Sequence, residues 1–290
     1  MNGRISSLEK TVAIEVIRPI GPEHTSLLGT VTALYDVGCF FGAIAAFSIG
    51  ERLGRKKAIL LGTTVMSIGA ILQISAFSVA QMIVGRIVAG LGNGLNTATA
   101  PVWQAETSKA AWRGKLVVIE LILNIAGFSL SNWMTYGFSY VDGPVAWRFP
   151  LAFQFVFIFV LYGTVPWLPE SPRWLIAHDQ IDEAEQIIAD LEATSIDDAY
   201  VVTESKEIQW AVQYERENGV GWMDLLRGRS GKGTSTIRRL ILGAGAQAMQ
   251  QLAGINVTSY YLPTVLIESV GLGEKMARLL AACNSVSYLA

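Results

Sequence analysis

Cysteine and histidine are nearly absent, and each scarcity removes a class of chemistry. Cys39 and Cys283 both fall in apolar runs, so neither a disulfide framework nor a thiolate metal cluster is supported. His24 and His178 have no companion ligands, so no metal and no cofactor is expected. Charge is scarce too, at 16% of residues, and 22 Lys and Arg against 24 Asp and Glu leave a net charge of −2 that argues for no nucleic-acid partner. The N-terminal residues 1–26 lack the continuous apolar core of a signal peptide, being broken by Glu15, Arg18 and Pro19, and read as a polar segment. A phosphate loop is missing as well. In the stretch Gly228 to Thr236, Leu226 stands where the first glycine of that motif belongs and Gly233 where its Ser or Thr belongs. Asn256-Val257-Thr258 matches a glycosylation acceptor but lies inside an apolar span, where it carries no function.

What is present is apolar length. Half the chain (51%) is hydrophobic and 28 residues are glycine, the composition of a polytopic membrane protein. Since a helix needs about 20 mostly apolar residues to cross a bilayer, six spans are expected, at 27–50, 58–78, 80–104, 116–138, 149–168 and 240–266, with a seventh starting near Met276. Arg52, Arg55, Lys56 and Lys57 lie between the first two spans, and Lys109, Arg113 and Lys115 between the third and fourth; the intervening joints carry almost no cations. By the positive-inside rule the basic joints are cytoplasmic, so the first span starts outside.

The division expected is a polar N-terminal segment (1–26), a membrane bundle (27–168), a cytoplasmic helical loop (169–239) and the beginning of a second bundle (240–290). In the loop, Asp179 is expected to cap a helix with Ile181, Ala184, Ile187, Ile188 and Leu191 at helical spacing. Thr203 to Asn218 reads as a second helix with Ile208 and Val212 one turn apart, and Trp222, Leu225 and Leu226 as a short third. The competing reading is a disordered acidic linker.

Within the sixth span, Gln250, Gln251, Asn256, Tyr260 and Tyr261 interrupt lipid-compatible sequence. Unpaired amides are costly in hydrocarbon and normally face a bundle interior or a watery cavity. On one continuous helix, Gln250, Gly254, Val257 and Tyr261 would form one ridge and Gln247, Gln251 and Thr258 another. Two readings remain, amides that glue helices together and a wall offering hydrogen bonds to a neutral polyhydroxylated ligand; the group as a whole favours the second.

Five signatures stand in order: Gly50 to Lys57 (GERLGRKK); Arg86 with Gly90, Gly92 and Gly94; Pro101 to Glu106 followed by Arg113-Gly114; Pro169 to Trp174 (PESPRW); and the Gln250 to Tyr261 segment. In residues, order and spacing, from about Leu27 to Ala290, they resemble the sugar porter family of the major facilitator superfamily, most of all its fungal members. The resemblance implies an all-α polytopic fold of twelve helices in two halves joined by a cytoplasmic helical loop, with a sugar held between the halves at mid-membrane. The six complete spans would match the family's second to seventh helices and the seventh the start of its eighth, a partial major facilitator fold. It implies no enzyme chemistry and no cofactor. The partners implied are a small-molecule sugar, the lipid bilayer and, in some members, protons.

Residue by residue, the resemblance implies that Gln250, Gln251 and Asn256 hydrogen-bond the sugar and that Tyr260 and Tyr261 gate its outer side. It implies that Glu51, Arg55, Glu106, Arg113, Glu170 and Arg173 form a releasable cytoplasmic salt-bridge network of exposed pairs. Arg86, two turns inside its span, needs a carboxylate; Asp36 is the candidate on this chain, and otherwise faces the cavity or the outer surface. Some positions depart from the family pattern: Glu51 replaces Asp, Trp103 and Lys109 stand where Tyr and Pro are common, and Leu121 holds the position of a sugar-binding Gln. Glu120 and Asn124, four apart on one face, are the polar substitutes there. The expectation is thus alternating-access transport of a hexose or related carbohydrate, by symport or facilitated diffusion, at the plasma membrane, by a chain truncated at both ends and incompetent alone. The alternatives are a sugar-sensing receptor of the same fold and a non-functional truncated gene product.

Overall fold

The computed structural model describes residues 22–141, 143–218 and 236–289, the side chains of 22–28, 110, 111, 236, 255–258 and 260 excepted. The polar segment 1–21 and the expected third loop helix at Trp222 to Leu226 lie outside the described residues. In chain order the helices are α1 (Pro22–Leu53), α2 (Arg55–Ile74), α3 (Val79–Glu106), α4 (Ala110–Phe138), α5 (Val145–Thr164), α6 (Pro172–Ala177), α7 (Ile181–Glu192), α8 (Ala199–Asn218), α9 (Thr236–Leu252), α10 (Ile255–Glu268) and α11 (Glu274–Leu289). Four of them, α1, α2, α4 and α5, contain stretches long and apolar enough to cross a membrane.

The chain divides into two compact units, Met1–Trp174 with Ala282–Ala290, and Leu175–Ala281. In the first, α3 packs against both α1 and α2, and α5 against α2 and α4. Glycine sets these distances. A methyl at Gly90 or Gly94 would meet the carbonyl oxygens of Tyr35 and Cys39 on α1, and one at Gly85 or Gly92 would meet backbone of α2. Without a water-driven hydrophobic force between helices in lipid, such close backbone approach supplies the dispersion contacts. Polar side chains add a second layer: buried Gln73 donates to the Gly85 carbonyl at 3.2 Å and Asn96 to Thr63 Oγ1 at 3.2 Å. At the end opposite the basic joints, Val31, Ala76 and Met82 form a core onto which Trp147 and Leu151 pack.

The joints are tighter than the sequence suggests. Only Gly54 separates α1 from α2, at φ 88°, so Arg55, Lys56 and Lys57 already belong to the first turn of α2. Likewise α4 begins at Ala110, placing Arg113 and Lys115 inside the helix rather than before it.

In the second unit α7 and α8 form an antiparallel pair around Ile188, Ala189 and Val201, with Ile208 packed on them. Ser205 donates to Glu185 across the pair at 2.8 Å. Asp198 starts α8 as its N-cap, accepting from the Tyr200 N–H at 2.8 Å and from the Thr194 hydroxyl at 2.9 Å. Asp179 does not cap α7: Gln180 holds that position with no side-chain cap. Asp179 instead takes φ 62° and closes α6, its N–H donating to Ile176 O at 3.1 Å, because the preceding helix ends so close to α7 that the residue must reverse the chain. The sixth expected span is also divided. Helix α9 stops at Leu252, Gly254 takes φ 82° and ψ 14°, and α10 starts at Ile255.

Candidate functional site

At the end of the first unit that carries the basic joints, motifs distant in sequence converge. The Arg55 guanidinium forks onto Glu106, Nε to Oε2 at 3.1 Å and Nη2 to Oε1 at 3.3 Å, while Nη1 donates to the Gly50 carbonyl at 3.1 Å. The two side chains are only 22% and 14% exposed, so this pair is more sheltered than the surface latch the sequence suggested. A planar guanidinium suits this arrangement, satisfying two carboxylate oxygens and a carbonyl at once.

Glu170 does something different from the side-chain pairing expected of it. Its Oε1 accepts from the Arg55 backbone N–H at 3.0 Å, from Lys56 N–H at 3.3 Å and from Ser171 N–H at 3.0 Å. The carboxylate therefore caps α2, whose first N–H groups have no partner within the helix and whose N-terminal dipole favours an anion. Gly54 makes room for it, since a Cβ there would lie 2.7 Å from Glu170 Oε2.

Two tryptophans hold the same cluster and were not singled out as site residues. Trp103 Nε1 donates to the Pro169 carbonyl at 3.1 Å, and Trp174 Nε1 to the Glu51 carbonyl at 2.8 Å. The available signal was their position inside the charged motifs, where an indole offers one donor on a large apolar body. Glu51 enters the cluster through its carbonyl, its side chain being exposed. Arg113 stays on its own joint, donating to the Ser108 carbonyl at 3.3 Å. Arg173 lies half-buried in α6.

Inside the membrane-spanning part of this unit, Arg86 is half-buried on α3 and Asp36 of α1 is exposed. Glu120 is half-buried on α4, and Asn124, one turn further, is exposed. In the second unit Gln250 and Gln251 occupy the last turn of α9, exposed, and Gly254 N–H donates to the Gln251 carbonyl at 3.1 Å as the helix ends. The left-handed Gly254 cancels the two continuous ridges expected through this segment, because residues beyond it start a new helix with its own N–H groups. Tyr261 is half-buried on α10, whereas the side chains of Asn256 and Tyr260 lie outside the described residues.

A family model described as "Sugar (and other) transporter" matches residues 3–289. The MFS-type transporter oryC of Aspergillus oryzae is 63% identical over 276 residues, covering 95% of this chain and 51% of that protein. The sugar transporter STL1 of Saccharomyces cerevisiae is 35% identical, covering 91% of this chain and 47% of its own length. The chain thus spans about half the length of these relatives. In structure it is similar to the proton:xylose symporter XylE of E. coli, solved with 6-bromo-6-deoxy-D-glucose bound, at a TM-score of 0.80 and 23% identity, over 99% of this chain and 62% of that one. At that identity the likeness speaks for the fold, a partial major facilitator fold. Matched from residue 3 to residue 289, this all-α, multi-pass membrane chain belongs to the sugar transporter family, whose members are transporters and not enzymes.

Proposed function

We propose that the chain forms part of a transporter that moves a hexose or related carbohydrate across the plasma membrane by alternating access, coupled to protons. The observation that carries this reading is the family match along residues 3–289. The names of the relatives and the proton-coupled structural neighbour support the substrate class and the coupling. Gln250, Gln251 and Asn256 serve as hydrogen-bonding groups for sugar hydroxyls, since neutral amides donate and accept without a desolvated charge. Tyr260 and Tyr261 act as the gate, and Glu120 and Asn124 as further polar contacts. Arg55, Glu106 and Glu170, with Glu51, Arg113 and Arg173 around them, form the cytoplasmic latch, and Arg86 with Asp36 the intramembrane charge pair.

Uptake of labelled hexose, pentose and polyol by a yeast strain lacking hexose carriers tests the proposal. Expected are saturable uptake of a hexose, a loss of tenfold or more in Gln250→Ala and Gln251→Ala, and collapse on adding a proton uncoupler. Uptake that survives the uncoupler removes the proton coupling. Absence of uptake for every sugar and polyol tried, with the protein present at the plasma membrane, overturns the substrate class.

A further inference from the structure

Helices α7 and α8 are joined by residues 193–198. Five serine and threonine side chains occur between Pro169 and Asn218, and four of them are engaged. Ser171 accepts from the Trp174 N–H at 3.2 Å, Thr194 donates to Asp198 at 2.9 Å, Thr203 to the Ala199 carbonyl at 2.6 Å and Ser205 to Glu185 at 2.8 Å. Among the described residues the Ser195 hydroxyl alone of the five makes no hydrogen bond, and Ser195 is exposed. Its surroundings are open too: Ala193, Ile196 and Asp197 are exposed, Ile196 at 41% although its side chain is apolar. Ser195 and Asp198 close a turn, the Asp198 N–H donating to the Ser195 carbonyl at 3.1 Å. The joint thus presents a free hydroxyl on irregular backbone, outside the packed core of the α7–α8 pair.

The charge around that hydroxyl has one sign. Glu192 precedes it, Asp197 and Asp198 follow it two and three residues on, and no Lys or Arg stands between Arg173 and Lys206. Such a segment is attracted to an enzyme groove lined by cations and repelled by one lined by carboxylates. Asp198 is committed to capping α8, so the carboxylate open to a visitor is Asp197, which makes no hydrogen bond or ion pair among the described residues. The chain reaches this turn from the end of the first unit that carries the basic joints, where Trp103 holds the Pro169 carbonyl and Trp174 the Glu51 carbonyl. By the positive-inside rule that end faces the cytosol, the compartment of nucleoside triphosphates. Between Trp174 and Ser195 stand Asp179, Asp182, Glu183, Glu185, Asp190 and Glu192, a density of charge that does not cross hydrocarbon.

We infer that Ser195 is a phosphorylation site for an acid-directed serine/threonine kinase, and that the phosphate loosens the start of α8. Ser195 Oγ forms its bond to the γ-phosphorus of ATP as the bond to the bridging oxygen breaks; ADP leaves, and the hydroxyl proton passes to the kinase's base. The product carries a charge of about −1.5 to −2 at pH 7. A phosphate at a helix N-terminus stabilises when it reaches free N–H groups and disrupts when it meets carboxylates. Here the Tyr200 N–H is already taken by Asp198, and the phosphate enters a turn holding Glu192, Asp197 and Asp198, next to the Thr194 hydroxyl that supports the cap. Repulsion therefore decides. The site does not depend on which solute the chain moves, only on which side of the membrane the turn lies.

The whole chain in nanodiscs, which leave both faces open, is incubated with ATP and an acid-directed casein kinase, and its tryptic peptide Trp174–Lys206 is read by fragmentation mass spectrometry. Expected is one phosphate on Ser195, none in Ser195→Ala, and a rate at least tenfold lower in Asp197→Asn, which leaves the Asp198 cap in place. Phosphate on Thr194, Thr203 or Ser205 instead, or none at all, overturns the site; an unchanged rate in Asp197→Asn overturns the acid-directed class. Amide exchange at Tyr200 reads the consequence: it should be at least fivefold faster in the phosphorylated chain than in the unmodified one, and equal rates overturn the loosening. In yeast expressing the chain, with phosphatases inhibited during lysis, the same peptide should carry phosphate on Ser195. Recovery of the unmodified peptide alone overturns the use of the site in the cell.

Discussion

The Glu170 carboxylate lies 3.0 Å from the backbone N–H of Arg55, 115 residues away in sequence, and closes the first turn of α2 from outside that helix. Capping from a distant segment couples two things usually separate: the stability of α2 and the position of the Pro169–Trp174 stretch. Charge at a helix N-terminus and a side-chain cap are each worth about 0.5–2 kcal/mol.

Replacing Glu170 by Ala is therefore expected to lower stability by about 1–2 kcal/mol. Glu170→Gln, which keeps an acceptor but removes the charge, should lose less than half as much. Thermal unfolding of the two variants in detergent checks the order; equal losses would mean that the carboxylate's hydrogen bonds to α2 contribute little.

For the Arg55–Glu106 fork, a double-mutant cycle with Arg55→Ala and Glu106→Ala is expected to give a coupling of about 1–2 kcal/mol, above the 0–1 kcal/mol of open surface pairs. Arg55→Lys should lose most of it, because an ammonium cannot hold both Glu106 oxygens and the Gly50 carbonyl in one plane. A coupling near zero would return this pair to the class of exposed latches.

Glycine in the first unit gives a contrast. Gly90→Ala sets a methyl against Tyr35 O and Gly38 on α1 and should cost several kcal/mol or prevent folding, whereas Gly163→Ala, with nothing within 4 Å, should be neutral or stabilise by about 0.5–1 kcal/mol. Expression level and melting temperature of the pair in detergent read this out.

Gly254→Ala tests the break between α9 and α10. A left-handed alanine costs about 1–2 kcal/mol, so the variant is expected to straighten the segment or lose stability, and to lower sugar uptake at least fivefold in the yeast assay. Wild-type uptake with wild-type melting would show that the break is not needed.

The α8 cap should respond to acid. Hydrogen bonds from Tyr200 N–H and then Thr194 hold the Asp198 carboxyl below its ordinary value of 3.8. A carboxylate depressed on folding contributes stability that is complete above that ordinary value and disappears as pH falls through the lower folded value. Amide exchange of Tyr200 should therefore quicken, relative to the rest of α8, only under strongly acidic conditions. In Asp198→Ala it should be fast throughout.

The membrane helices were legible because apolar length and basic joints are one-dimensional signals: α2 and α5 follow them closely, and the charged residues at Arg55, Glu106 and Glu170 were named as one group. What the sequence did not disclose was the acceptor each group meets. Nothing local distinguishes Glu170 capping a backbone from Glu170 pairing with a cation, because the choice is made by Gly54 arriving from 116 residues away with room for an oxygen. The break at Gly254 was hidden for a related reason: hydropathy runs through it, and a glycine that ends a helix has the same composition as one that merely thins it. Asp179 has a good capping side chain, yet the tight closure of α6 takes its backbone first.

The backbone contacts between α1 and α3 also constrain how this sequence is free to drift. A pocket formed by two side chains tolerates a large residue on one helix when a small one appears opposite, so mutations there travel in pairs. Gly90 and Gly94 touch carbonyl oxygens of Tyr35 and Cys39, atoms that every amino acid possesses. No substitution at position 35 or 39 makes space for a methyl, so no compensating side-chain change on α1 can rescue a larger residue at either glycine.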